Sequence, residues 1–231
     1  MTSPLALSPD ARLETLRFGN EGQALVQVEG ALSDLALVRD IAAHHRYAPI
    51  GPFYPGIRAA VSEKIAMPLV APMMPQICDA LELAGLLAYR ECYLSLVTKA
   101  PGDLDPIQRL PHFDGVEPEL VAILLYLSDD SEGGTAFYRQ RSTGFETVDA
   151  ARYDDYREAL DADMKAHGMP EAGYIGSDSP MFERTLKVEG KANRLIAYRG
   201  NLLHCASMPD GFVPDENPLT GRLTLNLFLK A

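Results

Sequence analysis

Near the C-terminus apolar and polar positions alternate strictly: Leu223, Leu225, Leu227 and Leu229 take one face of an extended strand, and Arg222, Thr224, Asn226 and Phe228 the other. The leucine face is core. An arginine and two hydrogen-bonding side chains are costly to bury unpaired, so the second face should line a polar cavity or meet water. Leu86–Thr98 and Val121–Leu127 also read as strands, the latter so continuously apolar that both its faces should be buried. The turn SDDSEGG then predicts a hairpin-like return into TAFYRQR, and NRLIAYRG, NLLHCA and the final GRLTLNLFLK are further strands. Nearer the N-terminus, Ala24–Val28 is a short strand. Ser33 is placed to cap a helix with Leu35, Val38, Ile41 and Ala42 on one face, ending near His45. Pro49, Pro52 and Pro55 interrupt regular structure before a second helix from about Val70 to Leu83. Within a stretch from about 141 to 188, Tyr153, Tyr156, Leu160 and Met164 repeat at helical spacing up to Gly168.

Many strands without a βα rhythm predict a mainly β protein with flanking helices, an antiparallel sandwich or barrel of which the jelly roll is the natural candidate. We expect a single domain over residues 1–231. Residues 1–84 form an N-terminal helical and strand elaboration, and 85–231 a β core with an insertion at about 141–188 that is a candidate substrate lid. The composition, 47% hydrophobic and 23% charged, is that of a globular protein. The formal net charge of −11, without a basic stripe, argues against nucleic acid. No apolar run is long enough for a bilayer, and MTSPLALSPDARLETLRF lacks the features of a signal peptide, so no membrane association and a cytoplasmic location are expected. Three cysteines, Cys78, Cys92 and Cys205, form no CxxC pair and fit a reducing compartment.

The chemistry starts at LPHFDG. His112 and Asp114 are two apart, so on a strand an imidazole and a carboxylate share one face. Such a pair alone is equally a surface hydrogen bond. His204, in NLLHCA, adds a second imidazole, although a lone buried histidine is usually structural. Two imidazoles and one carboxylate are the ligand set of a non-haem Fe(II) facial triad, which leaves coordination positions open; a structural zinc site normally closes its fourth position. Arg222 offers a planar fork for a carboxylate, or for a surface acid. Tyr126 and Tyr93 are either ligand contacts or core residues with hydroxyls at the edge. His44, His45 and His167 sit at helix ends and read as solvated. Arg139, Arg141 and Arg199 are candidates for contacting an anionic substrate, and Cys205 lacks the orienting groups of a thiol nucleophile.

Taken in order, PHFDG, ILLYLSDDSEGGTAFYR, NRLIAYRGNLLHCA and GRLTLNLFL resemble the 2-oxoglutarate and Fe(II)-dependent dioxygenases, especially the prolyl-hydroxylase-like branch, over most of residues 110–229. The resemblance implies a double-stranded β-helix. It assigns His112, Asp114 and His204 to iron, Arg222 to the distal carboxylate of 2-oxoglutarate, and Thr224 and Tyr126 to supporting positions in cosubstrate binding. It also implies consumption of O2, with 2-oxoglutarate decarboxylated to succinate as a C–H bond is oxidised. Asp114 stands where related halogenases carry a small residue, which favours hydroxylation. Two departures from the family pattern stand out: 18 positions separate His204 from Arg222, and 92 separate His112 from His204. They require insertions, and they motivate two alternatives: a non-catalytic jelly-roll binding or sensing module, or a cupin-type metalloenzyme not using 2-oxoglutarate. The substrate expected is an amino acid, a peptide or another small molecule, and a homodimer is compatible with the sequence.

Overall fold

The computed structural model describes residues 3–128 and 130–231. Its larger antiparallel sheet has seven strands in the order β1-β2-β8-β5-β10-β4-β3: Arg12–Phe18 (β1), Gln23–Glu29 (β2), Arg194–Arg199 (β8), Leu120–Tyr126 (β5), Leu223–Lys230 (β10), Ala88–Val97 (β4) and Gly56–Ala60 (β3). The smaller sheet, β7-β6-β9, is built from Phe182–Gly190 (β7), Asp130–Gln140 (β6) and His204–Ser207 (β9). β5 has the buried apolar sequence expected of a central strand, and it lies between β8 and β10.

The alternation in β10 sorts its side chains between two environments. Leu223, Leu225, Leu227 and Leu229 join Val26, Val28, Leu94, Leu96, Ile123 and Leu195 in one core, which the N-terminal helices cover with Val38, Leu69, Val70 and Ile77. Those helices are Leu35–Ala43 (α1), Glu63–Val70 (α2) and Met74–Ala80 (α3). The opposite face of the large sheet meets the small sheet through Leu25, Ala122, Ile196 and Tyr198 packed on Phe137 and Val188. Outside the small sheet, Tyr156 of the helix Tyr153–His167 (α4) packs with Ala136, Tyr138, Phe182 and Leu203.

Several sequence expectations are corrected. The stretch after Leu127 is a crossing between sheets and not a hairpin: β5 pairs with β8 and β10, whereas β6 pairs with β7 and β9. A strand buried on both faces inside a large sheet has no free edge to offer the next strand. Gly134 serves the crossing with φ +132°, and a Cβ there would lie 2.0 Å from the Val188 carbonyl oxygen. Asp129, in the predicted turn, lies outside the described residues, as do Met1 and Thr2 of the N-terminal segment. The insertion is shorter than 141–188, because β7 begins at Phe182 and pairs with β6. Asp34, not Ser33, caps α1, its carboxylate accepting from Leu37 N at 2.9 Å. The helix predicted from Val70 to Leu83 begins at Glu63 and breaks into α2 and α3 around a tight turn over Ala71–Met73, with a proline opening both the turn and α3. β1 and β3 were not predicted; β1 is mostly exposed and carries no core-facing alternation. No helix of the described residues is long and apolar enough to cross a membrane.

The two faces of β10 predict opposite responses to truncation. Leu225→Ala should cost about 2–5 kcal/mol, as for a buried leucine. Asn226→Ala should cost less than about 0.5 kcal/mol or stabilise, because the Asn226 Oδ1 is buried without a partner. Urea unfolding of both variants checks this; equal large losses would contradict the assignment of the polar face to a cavity.

Candidate active site

His112 and His204 are joined through their backbones before their side chains meet. His112 N donates to His204 O at 2.9 Å, and His204 N donates to His112 O at 2.8 Å, an isolated antiparallel bridge between the segment before β5 and the start of β9. Two residues on, Asp114 N donates to Gly200 O at 2.7 Å. Gly200 permits that approach, since a Cβ there would lie 2.8 Å from Leu120 Cδ2 and 3.4 Å from Asp114 Cβ. The result is one cluster in which a nitrogen from each imidazole and a carboxylate oxygen all lie within 4.8 Å of one another, the one such group among the described residues. Asp114 Oδ2 is 3.6 Å from His204 Nε2, and Asp114 Oδ1 is 3.8 Å from His112 Nε2.

The surroundings prepare this set for a cation. His204 Nδ1 lies 2.8 Å from Leu202 O, a contact that a ring N–H makes as donor, which leaves the Nε2 lone pair facing Asp114. Tyr198 packs edge-on against the His204 ring, with centroids 4.9 Å apart. Burial lowers the pKa of His204 to about 4. His112, whose side chain is half accessible on the cavity side, is also lowered, by partial desolvation against the surrounding protein and by the His204 and Arg58 charges, with Asp114 opposing. Burial raises Asp114 to about 6, against the opposing charges of His112 and Arg58. At neutral pH the cluster therefore presents two neutral imidazoles and one carboxylate, the protonation states that metal binding requires. Nitrogen, nitrogen and carboxylate oxygen converging from one side fit a ferrous ion with open positions.

The cluster opens into a cavity of about 1210 Å³. Arg222, Thr224, Asn226 and Phe228, the polar face of β10, line it. Arg222 is buried and donates from Nη2 to Gly134 O at 2.9 Å, with its guanidinium 5.9 Å from the Tyr126 ring centroid. Tyr126, directly across from Thr224 on β5, is buried, its hydroxyl 2.7 Å from Thr135 Oγ1. Thr135 lines the cavity; Tyr126 lies behind it. The insertion contributes Tyr153, Tyr156, Arg157 and Leu160 of α4 to the wall, and Tyr174 follows in the loop before β7.

Other sequence candidates are used elsewhere. Arg139 pairs with Glu146 at 3.2 Å and Glu183 at 2.8 Å, Arg141 with Asp178 at 3.2 Å, and Arg199 donates to the carbonyls of Leu81 and Pro118; none lines the cavity. Burial pushes the Cys205 thiol up to about 12, so it is not a nucleophile at neutral pH. The reading from sequence missed Arg58, Tyr54, Glu91 and Ser95. Arg58 and Tyr54 belong to the stretch whose prolines masked β3; the recurrence of Glu91, Tyr93 and Ser95 opposite Cys92, Leu94 and Leu96 was an available signal.

The sequence model of a family described as "Family of unknown function (DUF6445)" matches residues 9–229. No curated protein matches the sequence. Among solved structures, HygX from Streptomyces hygroscopicus with nickel and 2-oxoglutarate bound is similar at a TM-score of 0.50 and 13% identity, over 91% of this chain and 84% of that one. The form that also holds hygromycin B gives 0.50 at 14% identity over 91% and 84%. The non-heme alpha ketoglutarate dependent epimerase SnoN from nogalamycin biosynthesis gives 0.48 at 16%, over 90% and 77%. At such identities the HygX likeness establishes the fold, the jelly roll expected from the strand pattern.

The lowered His204 pKa has a measurable consequence. Between its ordinary value of 6.5 and the folded value of about 4, the unfolded chain takes up a proton on this imidazole and the folded chain does not, so acidification costs the metal-free protein stability across that window. His204→Phe removes the contribution. Urea unfolding in chelator from pH 7 to 4.5 should show wild type losing ground to the variant as pH falls; a difference independent of pH would contradict the burial of a neutral imidazole.

Proposed function

We propose that this chain, which belongs to the DUF6445 family, is a non-haem Fe(II)- and 2-oxoglutarate-dependent oxygenase that hydroxylates a C–H bond of an amino acid, peptide or other small molecule. The observation that carries the reading is the convergence of His112, Asp114 and His204 in the wall of a cavity that Arg222 and Thr224 also line. His112, Asp114 and His204 would hold the iron. Iron with bound 2-oxoglutarate would supply oxidation by O2, coupled to decarboxylation of the cosubstrate to succinate.

The chain's own groups set the conditions. The Leu202 carbonyl fixes the His204 tautomer, and Asp114 offsets the charge of the ion with a carboxylate where a halogenase would carry a small residue. Arg222 is held by the Gly134 carbonyl and the Tyr126 ring, so its guanidinium is oriented in advance for the distal carboxylate, with Thr224 two residues along. Tyr126 orients Thr135 through its hydroxyl. Phe137 and Tyr198 cover the inner side of His204 and keep water from it.

The ordered motifs support the prolyl-hydroxylase-like branch, and the hygromycin B complex of HygX supports a small-molecule substrate. Three free cysteines and the acidic surface suit a cytoplasmic protein that does not bind nucleic acid. A cupin-type site would draw on further histidines, and none of His44, His45 and His167 lines the cavity.

Anaerobic addition of Fe(II) and then 2-oxoglutarate should produce the visible charge-transfer band of a chelated keto acid. His204→Ala should abolish it. Arg222→Ala should weaken 2-oxoglutarate binding roughly 10- to 100-fold, the loss expected for a charged hydrogen bond. Iron binding without any band would favour a metalloenzyme that does not use 2-oxoglutarate, and no iron binding would leave a binding module.

A further inference from the structure

The cavity holds a second set of polar groups that the iron and 2-oxoglutarate assignments leave unused. Arg58 of β3 lies opposite Ser95 of β4, Ser95 opposite Thr224 of β10, and Thr224 opposite Tyr126 of β5, so these four residues form one row on one face of the large sheet; Arg58 and Thr224 line the cavity, and Ser95 and Tyr126 are buried. In the next row Tyr93 lies opposite Asn226, and in the row beyond it Glu91 lies opposite Phe228. The intervening residues Cys92, Leu94, Leu96, Leu225 and Leu227 point into the helix-side core. The two faces of β4 are thus divided as sharply as those of β10.

Within these rows hydrogen-bonding capacity is left open. The Arg58 guanidinium stacks on Tyr54 with 3.8 Å between Cζ and the ring centroid, and lies 5.2 Å from the Tyr93 centroid. It makes no side-chain hydrogen bond or ion pair among the described residues, and its Nε is buried without a partner. Ser95 Oγ and Asn226 Oδ1 are buried and unpartnered too, Ser95 lying beside the Tyr54 hydroxyl without completing a bond of good geometry. Glu91 accepts from the Tyr93 hydroxyl at 2.9 Å and forms no ion pair with Arg58, although both line the cavity. A guanidinium at one end, with an amide oxygen and a carboxylate further along the same cavity, is complementary to a ligand carrying separated negative and positive groups. Arg58, Asn226 and Glu91 line the same cavity as His112, Asp114 and His204, so the set belongs to the same chamber as the triad.

We propose that the primary substrate is a small zwitterion of the amino-acid type, its carboxylate held by Arg58 and its ammonium by Asn226 and Glu91, all three of which line the cavity. The proposal rests on the oxygenase reading for the reaction but not for the binding. Arg222 and Thr224 keep the cosubstrate; Arg58, stacked on Tyr54 and within 5.2 Å of the Tyr93 ring centroid, is the specificity-determining cation for the substrate.

The test is calorimetric. Protein loaded with Ni(II) and 2-oxoglutarate is titrated with each proteinogenic L-amino acid and with its carboxamide, in wild type, Arg58→Met and Glu91→Gln; the Fe(II)–2-oxoglutarate band is recorded for each variant as a check on folding and cosubstrate binding. At least one amino acid should bind about tenfold or more tightly than its amide. Arg58→Met should erase that preference, Glu91→Gln should weaken acid and amide alike, and the band should persist in both variants. Binding of no amino acid, equal binding of acid and amide, or retention of the preference in Arg58→Met would overturn the proposal. So would loss of 2-oxoglutarate binding in Arg58→Met with amino-acid binding intact, which would assign Arg58 to the cosubstrate. Absence of the band in wild type, with acid-selective binding intact, would instead remove the oxygenase reading and leave this one standing.

Discussion

The pair of backbone hydrogen bonds between His112 and His204 is the constraint on which the site depends. Residues 92 positions apart in the chain become neighbours at a spacing set by main-chain geometry, not by flexible side chains. The Asp114–Gly200 bond repeats the fastening two residues on, and the Leu202 carbonyl then fixes the orientation of the His204 ring. Three ligand-type groups with neutral imidazoles are held together before any ion arrives. Preorganisation of this kind lowers the ordering cost of binding, because the side-chain entropy has been lost on folding.

The cavity beside this bridge exists because the large sheet is asymmetric. Its helix-side face is filled with leucine, isoleucine and valine, whereas opposite the small sheet apolar packing is confined to one end, around Phe137, Ile196 and Tyr198. Toward β4 and β3 the same face carries Thr224, Asn226, Ser95 and Arg58. Leaving Arg58 Nε, Ser95 Oγ and Asn226 Oδ1 buried without partners costs stability, and a fold retains such groups where a ligand is to meet them. The apolar core on the other face offsets that cost.

Much of this was legible in the sequence, and the limits have physical reasons. The period-two pattern in β10 announced both its core and its cavity face, and the ordered His112, Asp114 and His204 announced the cluster, because chemistry-bearing residues are sparse and strand periodicity is strong. The partner of each strand was not legible: a continuous apolar run such as β5 records burial on both faces but not its neighbours, so a crossing between sheets read as a hairpin. β7 was lost inside the insertion because its burial is irregular, and β3 was hidden behind prolines. Arg58 went unnoticed for that reason: its place on the sheet follows from pairing with Ser95, a long-range register that no local pattern encodes.

The most direct test of the central claim is a crystal structure of the chain prepared anaerobically with Fe(II) and 2-oxoglutarate, the metal located by anomalous scattering at the iron edge. The account predicts one iron bonded to Nε2 of His112, Nε2 of His204 and a carboxylate oxygen of Asp114, with the keto acid chelating it and its far carboxylate on Arg222. An iron peak elsewhere, or a triad that binds none under saturating metal, would contradict it.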